Sequence, residues 1–235
     1  MLPENPVFVA LDTPELEQAV AWADAVRPRV GGVKLGLEFF NSNGPDGVRR
    51  IVDLGLPVFL DLKFHDIPNT VAGAVNAVAG LGAAIVNVHA GGGSAMLSAA
   101  ATAAAEYGAN RPLVVAVTVL TSLDDDDLAS VGQAGPAVSQ VERLARLSQS
   151  CGLDGVVCSP AEIAVLRTAC GDRFRLVVPG IRPAWANAGD QKRIMTPREA
   201  RDLGADVLVI GRPITGSDDP AAAAARIADE LDISS

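Results

Sequence analysis

The densest run of side chains able to do chemistry is Asp61-Leu62-Lys63-Phe64-His65-Asp66-Ile67-Pro68-Asn69-Thr70. On an extended strand alternate side chains share a face, so Phe59, Asp61 and Lys63 should point one way, with Leu60 and Leu62 the other. A carboxylate and an ammonium then project together. A structural ion pair at a strand end would account for these two alone. Lys34, in an apolar run of its own, and Asp66 just beyond the pair turn the balance toward a catalytic cluster of Lys63, Asp61, Lys34 and Asp66.

A second signal lies near the C-terminus, in Val178-Pro179-Gly180-Ile181-Arg182 and Ile210-Gly211-Arg212-Pro213. Glycine amides backed by guanidinium groups, which grip oxygens bidentately, suit a phosphate. The alternative is that Arg182 and Arg212 merely pair with acidic neighbours in a chain of net charge −9. The stretch 183–193, with Trp185, Gly189, Asp190 and Gln191, has no clear periodicity and is expected to form a mobile lid. Gly91-Gly92-Gly93-Ser94 lacks the spacing of a dinucleotide-binding turn, so no nicotinamide is implied. The acids from Asp124 to Asp127 suit the dipole of a helix start better than a metal. His65 and His89 read as hydrogen-bonded loop and strand-end residues, and Cys158 as a small buried filler.

Eight short β-branched runs can position these groups: VFVAL from Val7, GVKLG from Gly32, PVFLD from Pro57, AIVNVH from Ala84, PLVVAVTV from Pro112, GVVCS from Gly155, RLVVPG from Arg175 and DVLVIG from Asp206. Helical signals lie between them. Thr13-Pro14-Glu15 predicts a first helix capped by Thr13, and Thr196-Pro197-Arg198-Glu199 has a capping box. Gly55, Gly82, Gly108, Gly152 and Gly204 stand at expected helix exits. The Ala-rich pieces at 99–105 and 221–225 read as outer helices. Eight alternating units, with strands apolar on both faces, predict an α/β fold: a single-domain (β/α)8 TIM barrel over residues 1–235. In such a barrel the reactive groups sit at the carboxyl ends of the strands. Asp12, Lys34, Asp61, Lys63, His89, Thr118, Thr121, Ser159, Arg182 and Arg212 all fall there.

Composition agrees with that architecture. Of 235 residues 49% are hydrophobic and 20% charged, an ordinary globular mix, and the acidic balance argues against nucleic acid as a partner. The stretch 67–105 has no charged residue and exceeds the roughly 20 residues that span a bilayer. Asn69, Asn76, Asn87, His89 and the glycine run interrupt it, and no aromatic or basic belt flanks it, so no membrane span is expected. The N-terminus does not look like a secretory signal. Cys151, Cys158 and Cys170, an odd set without metal-ligand spacing, fit a reducing cytoplasm.

The motifs ALD at 10–12, VKLG at 33–36, DLKFHDIPNT at 61–70, VTVLTS at 117–122, VVPGIRP at 177–183, GDQKR at 189–193 and VIGRPIT at 209–215 span nearly the whole chain. Together they resemble the orotidine 5′-phosphate decarboxylase family, in particular its bacterial group. The resemblance implies conversion of orotidine 5′-phosphate (OMP) to UMP and CO2 in pyrimidine nucleotide synthesis, with no cofactor and no metal. By the same resemblance Asp12 and Lys34 contact the ribose, and Lys34, Asp61, Lys63 and Asp66 form a network of alternating charge with Lys63 as proton donor. Thr121 and Ser122 hold the pyrimidine, Pro179 lies at the substrate site, and Arg182, Gln191, Gly211 and Arg212 hold the phosphate. A homodimer is implied too, with Asp66, Ile67 and Thr70 reaching the partner's site.

Two other readings compete. One is a Mg2+-dependent sugar-phosphate decarboxylase or aldolase on a related phosphate-binding barrel, since the Asp-x-Lys-x-x-Asp core alone is shared there. The other is a nucleotide-binding barrel without activity, against which stands the presence of every charged group needed for turnover.

Overall fold

The computed structural model of the chain describes residues 2–133, 135–186 and 195–233. Eight strands form, each on one of the expected runs: β1 Val7–Ala10, β2 Gly32–Leu35, β3 Val58–Phe64, β4 Ile85–His89, β5 Leu113–Val117, β6 Gly155–Val157, β7 Arg175–Val178 and β8 Val207–Ile210. They pair in parallel in chain order, and β1 also pairs with β8, Val7 opposite Leu208, which closes the barrel. The described helices are α1 Leu16–Val26, α2 Leu37–Val52, α3 Pro68–Ala79, α4 Gly93–Ala105, α5 Asp125–Ser130, α6 Ala137–Ser150, α7 Ile163–Cys170, α8 Pro197–Asp202, α9 Arg212–Thr215 and α10 Pro220–Glu230. This is a single-domain TIM barrel. Among the described residues no helix is long and apolar enough to cross a membrane.

Alternation along each strand divides the core into two layers. Phe8, Phe59, Ile85, Val115, Val177 and Val207 fill the barrel interior as one cluster. Their neighbours Val9, Leu60, Val86, Val114, Leu176 and Leu208 face outward and pack with Ala19, Val48, Val75, Leu97, Ala145 and Leu166 of the surrounding helices. Burying each large apolar side chain stabilises the fold by about 1.5–3 kcal/mol, so the lower barrel is a packed plug that leaves only its upper end open to chemistry.

Local signals fare as their physics dictates. Gly55, Gly82, Gly108, Gly152 and Gly204 all have positive φ. Thr196 caps α8 with the reciprocal Glu199 contact, and Asp124 caps α5 in the same way with Asp127, so the acidic run serves a helix start. The start of α1 differs from expectation. The Thr13 hydroxyl accepts from the Glu15 N–H, closing a turn before the helix, and the first helical bond runs from Ala19 N–H to the Glu15 carbonyl. Glu15, without a side-chain cap, therefore occupies the N-cap position and Pro14 lies outside the helix.

Charges at the opposite, amino-terminal end of the barrel are consumed in pairing. Asp154 accepts from both terminal nitrogens of Arg111 at 2.9 and 2.5 Å, and Asp206 is shared between Arg167 and Arg175. These partly buried clusters hold strand starts in register, with the Asp154 carboxylate also accepting from Val114 N–H and that of Asp206 from Leu176 N–H.

Candidate active site

At the carboxyl ends of the strands the interior turns from apolar to charged. Lys34, third in β2 and opposite Phe59, and Asp61, two residues beyond Phe59 in β3, face inward. The Lys34 ammonium lies 3.0 Å from Asp12 Oδ1 and 3.4 Å from Asp61 Oδ2, and the Lys63 ammonium lies 2.5 Å from Asp61 Oδ1. The order Asp12–Lys34–Asp61–Lys63 is thus a row of alternating charge. Gly36 makes room for it, because a Cβ there would sit 3.1 Å from the Lys34 nitrogen and 3.5 Å from Asp12. Burial pushes the Asp61 carboxyl up. The Lys34 and Lys63 ammoniums, with hydrogen bonds from Lys63 and Asn87, outweigh that and hold it below the ordinary carboxylate value.

Lys63 reaches the row by an irregular route. Its φ is +53°, in the left-handed region that side-chain-bearing residues rarely adopt. The ladder to β4 shifts here: Leu60 pairs with Val86 and Phe64 with Val88, so Asp61, Leu62 and Lys63 stand opposite Asn87 alone. Asn87 bridges the bulge with its side chain, its Oδ1 accepting from Lys63 N–H at 2.7 Å and its Nδ2 donating to Asp61 Oδ1 at 2.7 Å. Strict alternation correctly put Asp61 and Lys63 on the same side, but the backbone that achieves it is a strained bulge. Asn87 was legible only as an interruption of an apolar run, although its period-2 position between Ile85 and His89 marks it as inward-facing.

Lys34, Asp61 and Lys63 of this row form one wall of a cavity of about 200 Å³. Phe59, Val117, Val157, Pro179 and Val209 make the rest of the wall apolar, and Leu120 and Thr121 stand at its rim. A second cavity, of about 370 Å³, lies against Arg182, Trp185, Arg212 and Ser217. The loops after β7 and β8 join the two, running from Pro179 to Arg182 and from Val209 to Arg212, each within three residues. Arg182 is buried and its backbone N–H donates to the Met195 carbonyl, while Gly211 precedes the short helix α9. The Arg226 guanidinium stacks 4.1 Å over the Trp185 ring beside this cavity.

Residues 5–227 match the model of the Orotidine 5′-phosphate decarboxylase / HUMPS family. The chain belongs to this family. It is 57% identical to the orotidine 5′-phosphate decarboxylase of Paramagnetospirillum magneticum over 231 residues, covering 97% of this chain and 98% of that one. The enzyme of the same name from Rhodospirillum rubrum is 58% identical over 233 residues, covering 97% and 94%. Among solved structures, orotidine 5′-phosphate decarboxylase from Lactobacillus acidophilus superposes with a TM-score of 0.87 at 38% identity, covering 99% of this chain and all of that one.

Against the motifs of this family, the structure brings Asp12, Lys34, Asp61, Lys63, Thr121 and Pro179 to one mouth and Arg182 and Arg212 to the adjoining cavity. Ser122 is exposed in the loop beside Thr121 and does not line the cavity. Asp66 stays outside the charged row. Its carboxylate accepts from the Ile67 N–H, and with Ile67, which is 68% exposed, and Thr70 it faces outward at the rim. Gln191 and most of the expected lid lie outside the described residues. The His65 and His89 rings lie with centroids 5.4 Å apart and planes tilted by 37°, and no cluster with metal-binding composition exists among the described residues.

Proposed function

We propose that this chain is an orotidine 5′-phosphate decarboxylase, converting OMP to UMP and CO2, with Lys63 and Asp61 at the reacting carbon. The observation that carries the reading is the row Asp12–Lys34–Asp61–Lys63, whose last three members line an apolar cavity, with a two-arginine cavity lined by residues only three positions further along the chain from Pro179 and Val209. That shape suits an elongated anion with a flat ring at one end and a phosphate at the other. The pyrimidine enters the first cavity against Thr121, with Ser122 in the adjacent loop, the ribose hydroxyls meet Asp12 and Lys34, and the phosphate sits between Arg182, Arg212 and the Gly211 amide, with Gln191 assigned to it by the family motif alone.

The chemistry demands such a wall. Cleaving the bond from C6 to the carboxylate leaves its electron pair on C6 in an sp2 orbital orthogonal to the ring π system, where resonance cannot spread it. Stabilisation falls to preorganised charge, a role that this reading gives to the Lys63 ammonium. Asp61 faces the substrate carboxylate, and two like charges about 4 Å apart at an effective dielectric of 20 repel by about 4 kcal/mol, a repulsion that vanishes as CO2 departs. Lys63 then gives a proton to C6, completing UMP, and is reprotonated from solvent.

Each of these steps uses side chains of the chain itself, so turnover should proceed without added metal. In a spectrophotometric assay of OMP consumption, the expected result is the same rate with and without EDTA. Loss of activity in EDTA, restored by Mg2+, would favour the metal-dependent sugar-phosphate chemistry instead. The exposed run Asp66, Ile67 and Thr70, beginning three residues after Lys63, further supports a homodimer in which these residues complete the partner's site. Sedimentation equilibrium is expected to give twice the chain mass, and a mass of one chain at micromolar concentration would contradict that assembly.

A further inference from the structure

We propose that Asn87 is the positioning residue of this site: one carboxamide fixes both the Asp61 carboxylate and the backbone turn that aims Lys63. The inference rests on the decarboxylase reading and assigns a role to a residue outside its motifs. Three observations carry it. Asn87 is 1% exposed, so its amide must find partners within the fold. Both partners belong to the charged pair, Lys63 through its N–H and Asp61 through Oδ1, each at 2.7 Å. Finally, Asn87 stands opposite the whole bulge, where the ladder from β4 offers no other partner between Val86 and Val88.

The amide orientation admits no alternative, because a carboxylate cannot donate and a backbone N–H cannot accept. Asn87 therefore supplies a donor to one member of the pair and an acceptor to the other, which neither a carboxylate nor an apolar side chain of the same size reproduces at neutral pH. It holds Lys63 at φ +53°, a conformation that would otherwise relax. It also contributes to keeping Asp61 ionised, alongside Lys34 from β2 and Lys63 from its own strand. The other titratable groups around Asp61 are Asp12, paired with Lys34, and on the β4 side His89, which burial favours in its neutral form, with its neighbour His65.

The test compares the parent chain with Asn87→Ala and Asn87→Asp, reading kcat for OMP, affinity for UMP and the pH profile. Asn87→Ala should lower kcat about 10- to 100-fold, the cost of leaving two buried polar partners unmet. UMP affinity, set by phosphate and ribose contacts, should stay within about threefold. The activity loss on acidification should begin at higher pH, because Asp61 has lost a hydrogen bond to its charged form. Asn87→Asp fills the same space and still accepts from Lys63 N–H, but it adds a like charge beside Asp61. Its kcat should fall further at neutral pH and partly recover as the medium is acidified and the new carboxyl gains a proton to donate. A purely space-filling role would leave Asn87→Asp near parental kcat with the parental pH profile, and that result overturns the proposal. Should Asn87→Ala not fold, Asn87→Asp decides alone. A parent chain that does not consume OMP overturns the decarboxylase reading and this inference with it, whereas an active parent with indifferent Asn87 variants overturns only the role of Asn87.

Discussion

Replacing Lys63 by alanine is expected to lower kcat for OMP by more than about a thousandfold while the protein stays folded and binds UMP. The size follows from the double duty of one ammonium. In the proposed mechanism it faces the anion as C6 loses CO2 and then donates the proton to C6. Lys34 cannot take over, since its nitrogen is held between Asp12 and Asp61. Retention of UMP binding is part of the expectation, because the arginines of the neighbouring cavity are untouched by the change. Lys63 also sits in a left-handed conformation that alanine tolerates no better, so any stability change should be small beside the loss of rate. Activity retained within a factor of about ten would remove Lys63 from this role.

Arg212→Ala is expected to lower kcat/KM by about a hundredfold although the side chain stays remote from C6. Arg212 lines the second cavity at the start of α9, three residues beyond Val209 on the wall of the first. Binding energy gained on a phosphate there can be spent on seating the ring against Lys63 and expelling water from the charged row. Steady-state assays should show the loss in both kcat and KM. A parental kcat/KM would mean that the two cavities do not serve one substrate.

The sequence made the barrel legible because its strands are short, β-branched and apolar on both faces, and because glycines with positive φ mark where helices stop. The charged row was legible for a related reason, since an inward-facing lysine or aspartate late in such a strand lies beyond the apolar plug, at the open end. Two features escaped. The start of α1 was misread because Thr13 closes a turn with Glu15, a bond as local as the cap it resembles. Asn87 was missed because its partners come from β3, 24 and 26 residues away in the chain, and are fixed by a bulge that no periodicity announces. Alternation announces the faces of β3 but not its backbone beyond Asp61. The final turn that delivers Lys63 is a tertiary product of Asn87 and the shifted register.

In the proposed mechanism the Lys63 ammonium exchanges a proton with C6 of the pyrimidine. By microscopic reversibility the same group should slowly remove the C6 proton of bound UMP, so incubation of the parent chain with UMP in D2O, followed by proton NMR, measures that step without decarboxylation. Deuterium is expected at C6 of UMP with the parent and none above the solvent background with Lys63→Ala. Exchange at the parental rate in Lys63→Ala would contradict it.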